Sequence, residues 1–204
     1  MKISKKKFIY LISPNKINTN FFTQLKLLLQ TNKVGFFQLR LKKYSINKKI
    51  LIGKRIQKIC KKNNVKFIIN DDPKLAKKLD ADGCHLGQKD TDPLKAREII
   101  GNKIIGITCH NSTKLIKKAI KLGANYIALG AFYKSKTKKT KYIATTKILI
   151  KANKLSNTPV VAIGGINSHN YKNLLLNKAN FLAISSYIWN NKKYKPLEAI
   201  KKLK

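Results

Sequence analysis

Six of the eight acidic side chains, Asp71, Asp72, Asp80, Asp82, Asp90 and Asp92, fall within 22 positions of a chain that carries 45 Lys and Arg. Compositional drift alone would have scattered them. Asp71 closes an apolar run in Ile69-Asn70-Asp71-Asp72, and Asp90 follows the next in Ala81-Asp82-Gly83-Cys84-His85-Leu86-Gly87-Gln88-Lys89-Asp90. Two carboxylates on neighbouring loops suit Mg²⁺, which takes oxygen ligands, keeps several waters and binds substrate phosphate. The competing role for an Asp after a strand is a helix N-cap. Asp72 and Asp92 each precede Pro and fit that role, while Asp80 and Asp82 are placed to shape the turn into the next strand.

A second group is cationic. In Gln38-Leu39-Arg40-Leu41-Lys42, strand alternation puts Gln38, Arg40 and Lys42 on one face. An amide and two cations together suit a phosphate; a solvated strand edge is the alternative. Ser135-Lys136-Thr137-Lys138 offers hydroxyls and cations to a phosphate or pyrophosphate, in a chain where Lys is common throughout. Gly164-Gly165 permits close backbone approach or a tight turn, and Ser185 and Ser186 end the last apolar run. No nucleophile has an adjacent base, and no nucleotide-binding glycine loop is present. His85 beside Cys84 and His110 beside Cys109 match no usual zinc spacing, and such histidines read as hydrogen-bonded structure. Trp189 and the eight Tyr read as packing or surface residues.

The elements that must position these groups alternate. Short β-branched and aromatic runs predict eight strands: Phe8–Ser13, Gly35–Leu41, Lys66–Asn70, Gly83–Leu86, Ile104–Thr108, Tyr126–Leu129, Val160–Ile163 and Phe181–Ser185. Between them, Leu25, Leu28 and Leu29, then Ile52, Ile56 and Ile59, then Leu115, Ile116, Ala119 and Ile120, then Leu174 and Leu175 repeat at helical spacing. A last helix starts at Pro196. This pattern predicts an α/β fold, a single (β/α)8 TIM barrel, with an open doubly wound sheet as the competitor. At 204 residues, with no Gly/Ser linker, residues 1–204 are expected to form one domain. In a barrel, the chemistry belongs on the loops that leave the strand C-termini, where the residues above fall.

A net charge of +37 raises nucleic-acid binding as a reading, but Lys is spread along the chain and Arg is limited to Arg40, Arg55 and Arg97. Base readout favours Arg, so genomic composition is the simpler source and no specific nucleic-acid partner is expected. Such a field draws in small polyanions. No apolar run approaches the roughly 18 residues of a membrane span, and Phe8 to Ser13 is too short for a signal peptide. Cys60, Cys84 and Cys109 suggest no disulfide framework, and a cytoplasmic, membrane-free protein is expected, with homo-oligomerisation left open.

Taken in order, Gln38 to Lys42, Ile69 to Asp72, Ala81 to Asp90, Ser135 to Lys138 and Ala162-Ile163-Gly164-Gly165-Ile166 resemble the thiamine phosphate synthase family. That resemblance implies a transferase joining 4-amino-5-hydroxymethyl-2-methylpyrimidine diphosphate to hydroxyethylthiazole phosphate. It also implies Mg²⁺ on Asp71 and Asp90. The pyrimidine diphosphate would be held by Gln38, Leu39, Arg40, Leu41, Lys42, Asn70, Thr108 and Lys138, and Arg40, Lys42 and Lys138 would stabilise the leaving pyrophosphate. Ser135, Lys136, Thr137, Gly164, Gly165, Ser185 and Ser186 would hold the thiazole phosphate. Thr108 stands where the family usually has Ser, Ser135 where it has Thr, and Lys134 where it has Pro. The related thiazole tautomerase shares the barrel but is expected to lack the full diphosphate and metal set, so Arg40, Asp71, Asp90 and Lys138 favour the synthase.

Overall fold

A computed structural model describes residues 7–134 and 143–204. The strands are β1 (Ile9–Ile12), β2 (Val34–Leu39), β3 (Lys66–Asn70), β4 (Gly83–Leu86), β5 (Ile104–His110), β6 (Tyr126–Gly130), β7 (Val160–Ile163) and β8 (Phe181–Ile184). All pair in parallel and in sequence order, and β8 returns to β1 to close the barrel. The helices between them are α1 (Phe21–Leu29), α2 (Ile46–Lys62), α3 (Pro73–Lys78), α4 (Pro93–Ile100), α5 (Thr113–Lys121), α6 (Lys147–Leu155) and α7 (Tyr171–Leu176). The one-turn α8 (Ser186–Trp189) and α9 (Pro196–Lys201) follow β8. This is the (β/α)8 barrel the alternation predicts. Among the described residues, no helix is long and apolar enough to cross a membrane.

Strand alternation divides the apolar residues into two layers. Tyr10, Phe36, Ile68, Tyr126, Val161 and Phe181 fill the barrel interior. Their neighbours Leu11, Phe37, Ile69, Ile127, Ala162 and Leu182 face outward and pack under the helices. The helical faces complete that outer layer with Leu25 and Leu28 of α1, Ile56 and Ile59 of α2, Ile116 of α5 and Leu174 of α7.

Local signals set where the helices start. Asp72 accepts from the Leu75 N–H at 2.9 Å and Asp92 from the Leu94 N–H at 2.9 Å, and the following Pro73 and Pro93 begin α3 and α4. Both are the expected N-caps. At the opposite end of the barrel, Asp82 accepts from the Phe67 N–H at 2.8 Å and pairs with Lys66 at 2.7 Å. Asp80 pairs with Lys103 at 2.6 Å. These two acids tie the entries to β3, β4 and β5 together, as their place in the sequence suggests.

Candidate active site

The β2 ladder ends earlier than the run Gly35–Leu41 suggests. Its last partners are Ile12 opposite Gln38 and Leu39 opposite Ile69, after which the Arg40 N–H turns to Ser13 Oγ at 2.9 Å. Alternation nevertheless continues. Leu39 and Leu41 are buried in the outer layer, so they pack the barrel wall, whereas Gln38, Arg40 and Lys42 share the other face. The Arg40 guanidinium lies 3.5 Å from Asn15 Oδ1, and Lys42 Nζ lies 3.1 Å from Asp71 Oδ2.

The two carboxylates singled out in the sequence come together. Asp71 adopts a left-handed backbone, φ 66°, and its N–H donates to the His85 carbonyl at 2.8 Å, which fastens the β3 loop to β4. Asp90 accepts from the Gly87 N–H at 2.7 Å. Its carboxyl is pushed above the usual carboxylate range, first by burial and then by the hydrogen bond and negative charge of Asp71; Lys42 opposes this. Asn70 ends β3 beside them. A cleft of about 250 Å³ reaches from Lys42, Asn70 and Asp71 outward past Leu39, Leu41 and Ile69 to Lys49 of α2 and Leu75 of α3, between the barrel wall and the helices. Among the described residues, no group of three or more His, Cys, Asp or Glu gathers as a metal cage. Two carboxylates alone, open to water and phosphate, are the donor set that suits Mg²⁺.

Beneath this rim runs a polar chain that sequence reasoning missed. Gln38 Nε2 donates to Tyr10 Oη at 2.9 Å, and Tyr10 Oη lies 2.7 Å from Tyr126 Oη. Tyr126 Oη lies 2.9 Å from His85 Nδ1, and His85 Nε2 lies 2.8 Å from Thr108 Oγ1. Both phenols are buried, and burial raises them well above the ordinary tyrosine range. Burial drives His85 the other way, down to about 4, with the nearby Asp71 charge opposing, so the imidazole is neutral near pH 7. His85 is hydrogen-bonded structure, as expected; Tyr10 and Tyr126 are more than packing residues. The available signal was parity, because all five side chains point inward on their strands. Gly106 leaves the room: a Cβ there would fall inside the Tyr126 ring.

The far side of the rim is partly described. Gly164, at φ 107°, and Gly165, at φ 63°, both need glycine, and a Cβ on either would strike the Ala131 to Lys134 segment. The glycine pair therefore serves a tight turn and a close approach between the loops after β6 and β7. Ser185 Oγ donates to the Ser13 carbonyl at 3.1 Å, joining β8 to β1, and Ser186 begins α8. Ser135, Lys136, Thr137 and Lys138 lie outside the described residues.

A closed parallel barrel whose strand C-termini gather an amide, two cations and two carboxylates, with no nucleophile and base pair among the described residues, has a rim of the kind that barrel enzymes offer to phosphorylated small molecules. The family model described as thiamine monophosphate synthase matches residues 9–188. A thiamine-phosphate synthase of Pelagibacter ubique is 66% identical over 200 residues, covering 98% of this chain and 97% of that protein. One from Erythrobacter litoralis is 38% identical over 187 residues, covering 89% and 88%. Among solved structures, thiamine phosphate pyrophosphorylase from Pyrococcus furiosus superposes with a TM-score of 0.86 at 26% identity, covering 98% of this chain and 94% of that one. The chain belongs to the thiamine monophosphate synthase family.

Proposed function

We infer that this barrel is a thiamine phosphate synthase that condenses 4-amino-5-hydroxymethyl-2-methylpyrimidine diphosphate with hydroxyethylthiazole phosphate, releasing pyrophosphate. The observation that carries this reading is the meeting of Lys42, Asp71 and Asp90 beside the inward face of Gln38 and Arg40, in a chain of this family. The pyrimidine CH₂–O bond breaks with its electron pair leaving on the diphosphate, and the resulting cation is stabilised by the aminopyrimidine ring. The thiazole nitrogen lone pair then forms the new C–N bond. No protein nucleophile is needed, in keeping with the absence of a nucleophile and base pair in the sequence.

The protein's task is to bind charge and to align two rings. Arg40 and Lys42, with Lys138 by family resemblance, neutralise the departing pyrophosphate. Asn70, the last residue of β3, and Thr108, two residues before the end of β5, are assigned by the same resemblance as further polar contacts for the pyrimidine diphosphate. Ser135, Lys136, Thr137, the glycine pair, Ser185 and Ser186 are assigned to the thiazole phosphate by the same resemblance. Asp71 and Asp90 would hold Mg²⁺, which supplies positive charge to the diphosphate oxygens when bound. The fit rests on two mutually repelling carboxylates that Lys42 only partly compensates.

Incubating the purified protein with both substrates and Mg²⁺ should yield thiamine phosphate and pyrophosphate in equal amounts. Isomerisation of a thiazole precursor without condensation would instead identify a tautomerase. Binding of nucleic acid that is weak, steeply salt-dependent and indifferent to sequence would reflect charge alone.

A further inference from the structure

Where β1 leaves the barrel, side chains take over bonds that the backbone ladder would otherwise make. The last rung between β1 and β2 runs from the Ser13 N–H to the Gln38 carbonyl at 2.9 Å. Rungs of a parallel pair involve every second residue, so the next would run from the Arg40 N–H to the Ser13 carbonyl. Instead the Arg40 N–H donates to Ser13 Oγ at 2.9 Å, and the carbonyl so released accepts from Ser185 Oγ at 3.1 Å. The other edge of β1 ends in the same manner, with the Ile12 carbonyl accepting from the Trp189 indole N–H at 2.7 Å. Ser13 is only 2% exposed, so solvent does not reach in to replace its hydroxyl. The exchange decides where Arg40 stands. A rung to the carbonyl would carry β2 further as strand, whereas the hydroxyl lets it end at Leu39 and hands the chain to a turn closed by the Tyr44 N–H on the Leu41 carbonyl at 3.2 Å. Two more side-chain ties lace the same loops together: the Arg40 guanidinium to Asn15 Oδ1 at 3.5 Å, and the Ile17 N–H to Tyr44 Oη at 3.0 Å. Arg40 is thus held at its backbone and at its guanidinium by a segment with no part in the chemistry above.

We propose that Ser13 is a positioning residue for the condensation, which sets Arg40 for the departing pyrophosphate by taking the Arg40 N–H on its hydroxyl instead of its carbonyl. The inference rests on the synthase reading. Charge on the leaving group develops as the CH₂–O bond lengthens, and a guanidinium stabilises that charge most when it is already in place, because ordering a loose cation during the step offsets the gain. Without the hydroxyl, the Arg40 N–H is left with the acceptor the ladder provides, the Ser13 carbonyl. Taking it extends β2 by a rung, displaces Ser185 Oγ and shifts Arg40 from its place at the rim. The bonds of one buried serine therefore tie the cationic loop after β2 to the loop after β8, across the end of β1.

The test reads pyrophosphate binding to the full chain in Mg²⁺, because this product carries the charge that Arg40 meets and its binding needs no turnover. Ser13→Ala should raise the pyrophosphate dissociation constant about tenfold and lower kcat by a similar factor, the worth of one lost hydrogen bond. Ser13→Thr keeps the hydroxyl and should restore both. In an Arg40→Met background, Ser13→Ala should change pyrophosphate binding by less than about twofold, because the side chain through which Ser13 acts is gone. Ser13→Cys keeps the volume with a weak acceptor and should behave as Ser13→Ala does; it carries the test if Ser13→Ala folds poorly. Pyrophosphate binding that is absent from the wild type or unchanged in the folded Ala and Cys variants, a Ser13→Thr variant no better than Ser13→Ala, or an equal loss in the Arg40→Met background overturns the proposal. A wild type that binds pyrophosphate but does not condense the two substrates overturns the synthase reading instead, and leaves the dependence of Arg40 on Ser13 standing.

Discussion

Two pairs of aspartates flank the same stretch of chain and do opposite work. Asp80 and Asp82, at the entry to β4, are matched to partners: Asp80 to Lys103, and Asp82 to Lys66 and the Phe67 N–H. Asp71 and Asp90, at the exits of β3 and β4, are held against each other with Lys42 as their cationic neighbour. The residue type is the same and the sequence separation small. An acid whose charge is already answered by the fold is mortar between strands, whereas two acids with repulsion left over have capacity for a cation.

The largest break in this contrast should come at the exit pair. Asp71→Asn and Asp90→Asn are each expected to lower condensation by at least about a hundredfold, since each removes charge that would hold the cation on the leaving group. Denaturant midpoints of the metal-free proteins should stay level or rise, because repulsion is relieved. Full turnover in either variant would remove the assigned metal role.

His85 lies on β4 between the two pairs and sharpens the contrast from the neutral side. The folded protein keeps it neutral down to about 4, while the unfolded chain protonates it near 6.5, so unfolding takes up a proton between those values. Its contribution is complete above pH 6.5 and is lost as pH falls toward 4. Between pH 7 and 5 the protein should lose about 2 kcal/mol that a His85→Gln variant does not lose, read from urea unfolding at both pH values.

Asp82→Asn should cost about 1–2 kcal/mol in the same assay, because the Phe67 N–H loses a charged acceptor, while turnover per folded molecule holds. The smallest effect belongs to Asp80. Its side chain is 83% exposed, so Asp80→Asn should shift stability by no more than about 0.5 kcal/mol, and added salt should erase the difference.

Much of this arrangement was legible beforehand. Asp72-Pro73 and Asp92-Pro93 read as helix starts because capping is local: donor and acceptor lie within three residues. Asp71 and Asp90 were expected on adjacent loops because consecutive strands of a parallel barrel are neighbours, which turns order along the chain into order around the rim. β2 ends two residues before its alternation does, since Leu39 and Leu41 alternate with polar residues whether or not a ladder continues beneath them. Gly164 and Gly165 were open to either a turn or an approach, and the segment packed against them shows both.

The interior chain was not legible, although its members were in plain view. Tyr10 and Tyr126 are 116 residues apart, and nothing near either one reports the other. Periods of two and of three to four residues in the sequence determined which side of each strand and helix is buried, because burial acts on one element at a time. Which inward-facing side chains touch depends on ring closure, strand register and the gap at Gly106, and these are properties of the whole barrel that no single segment carries.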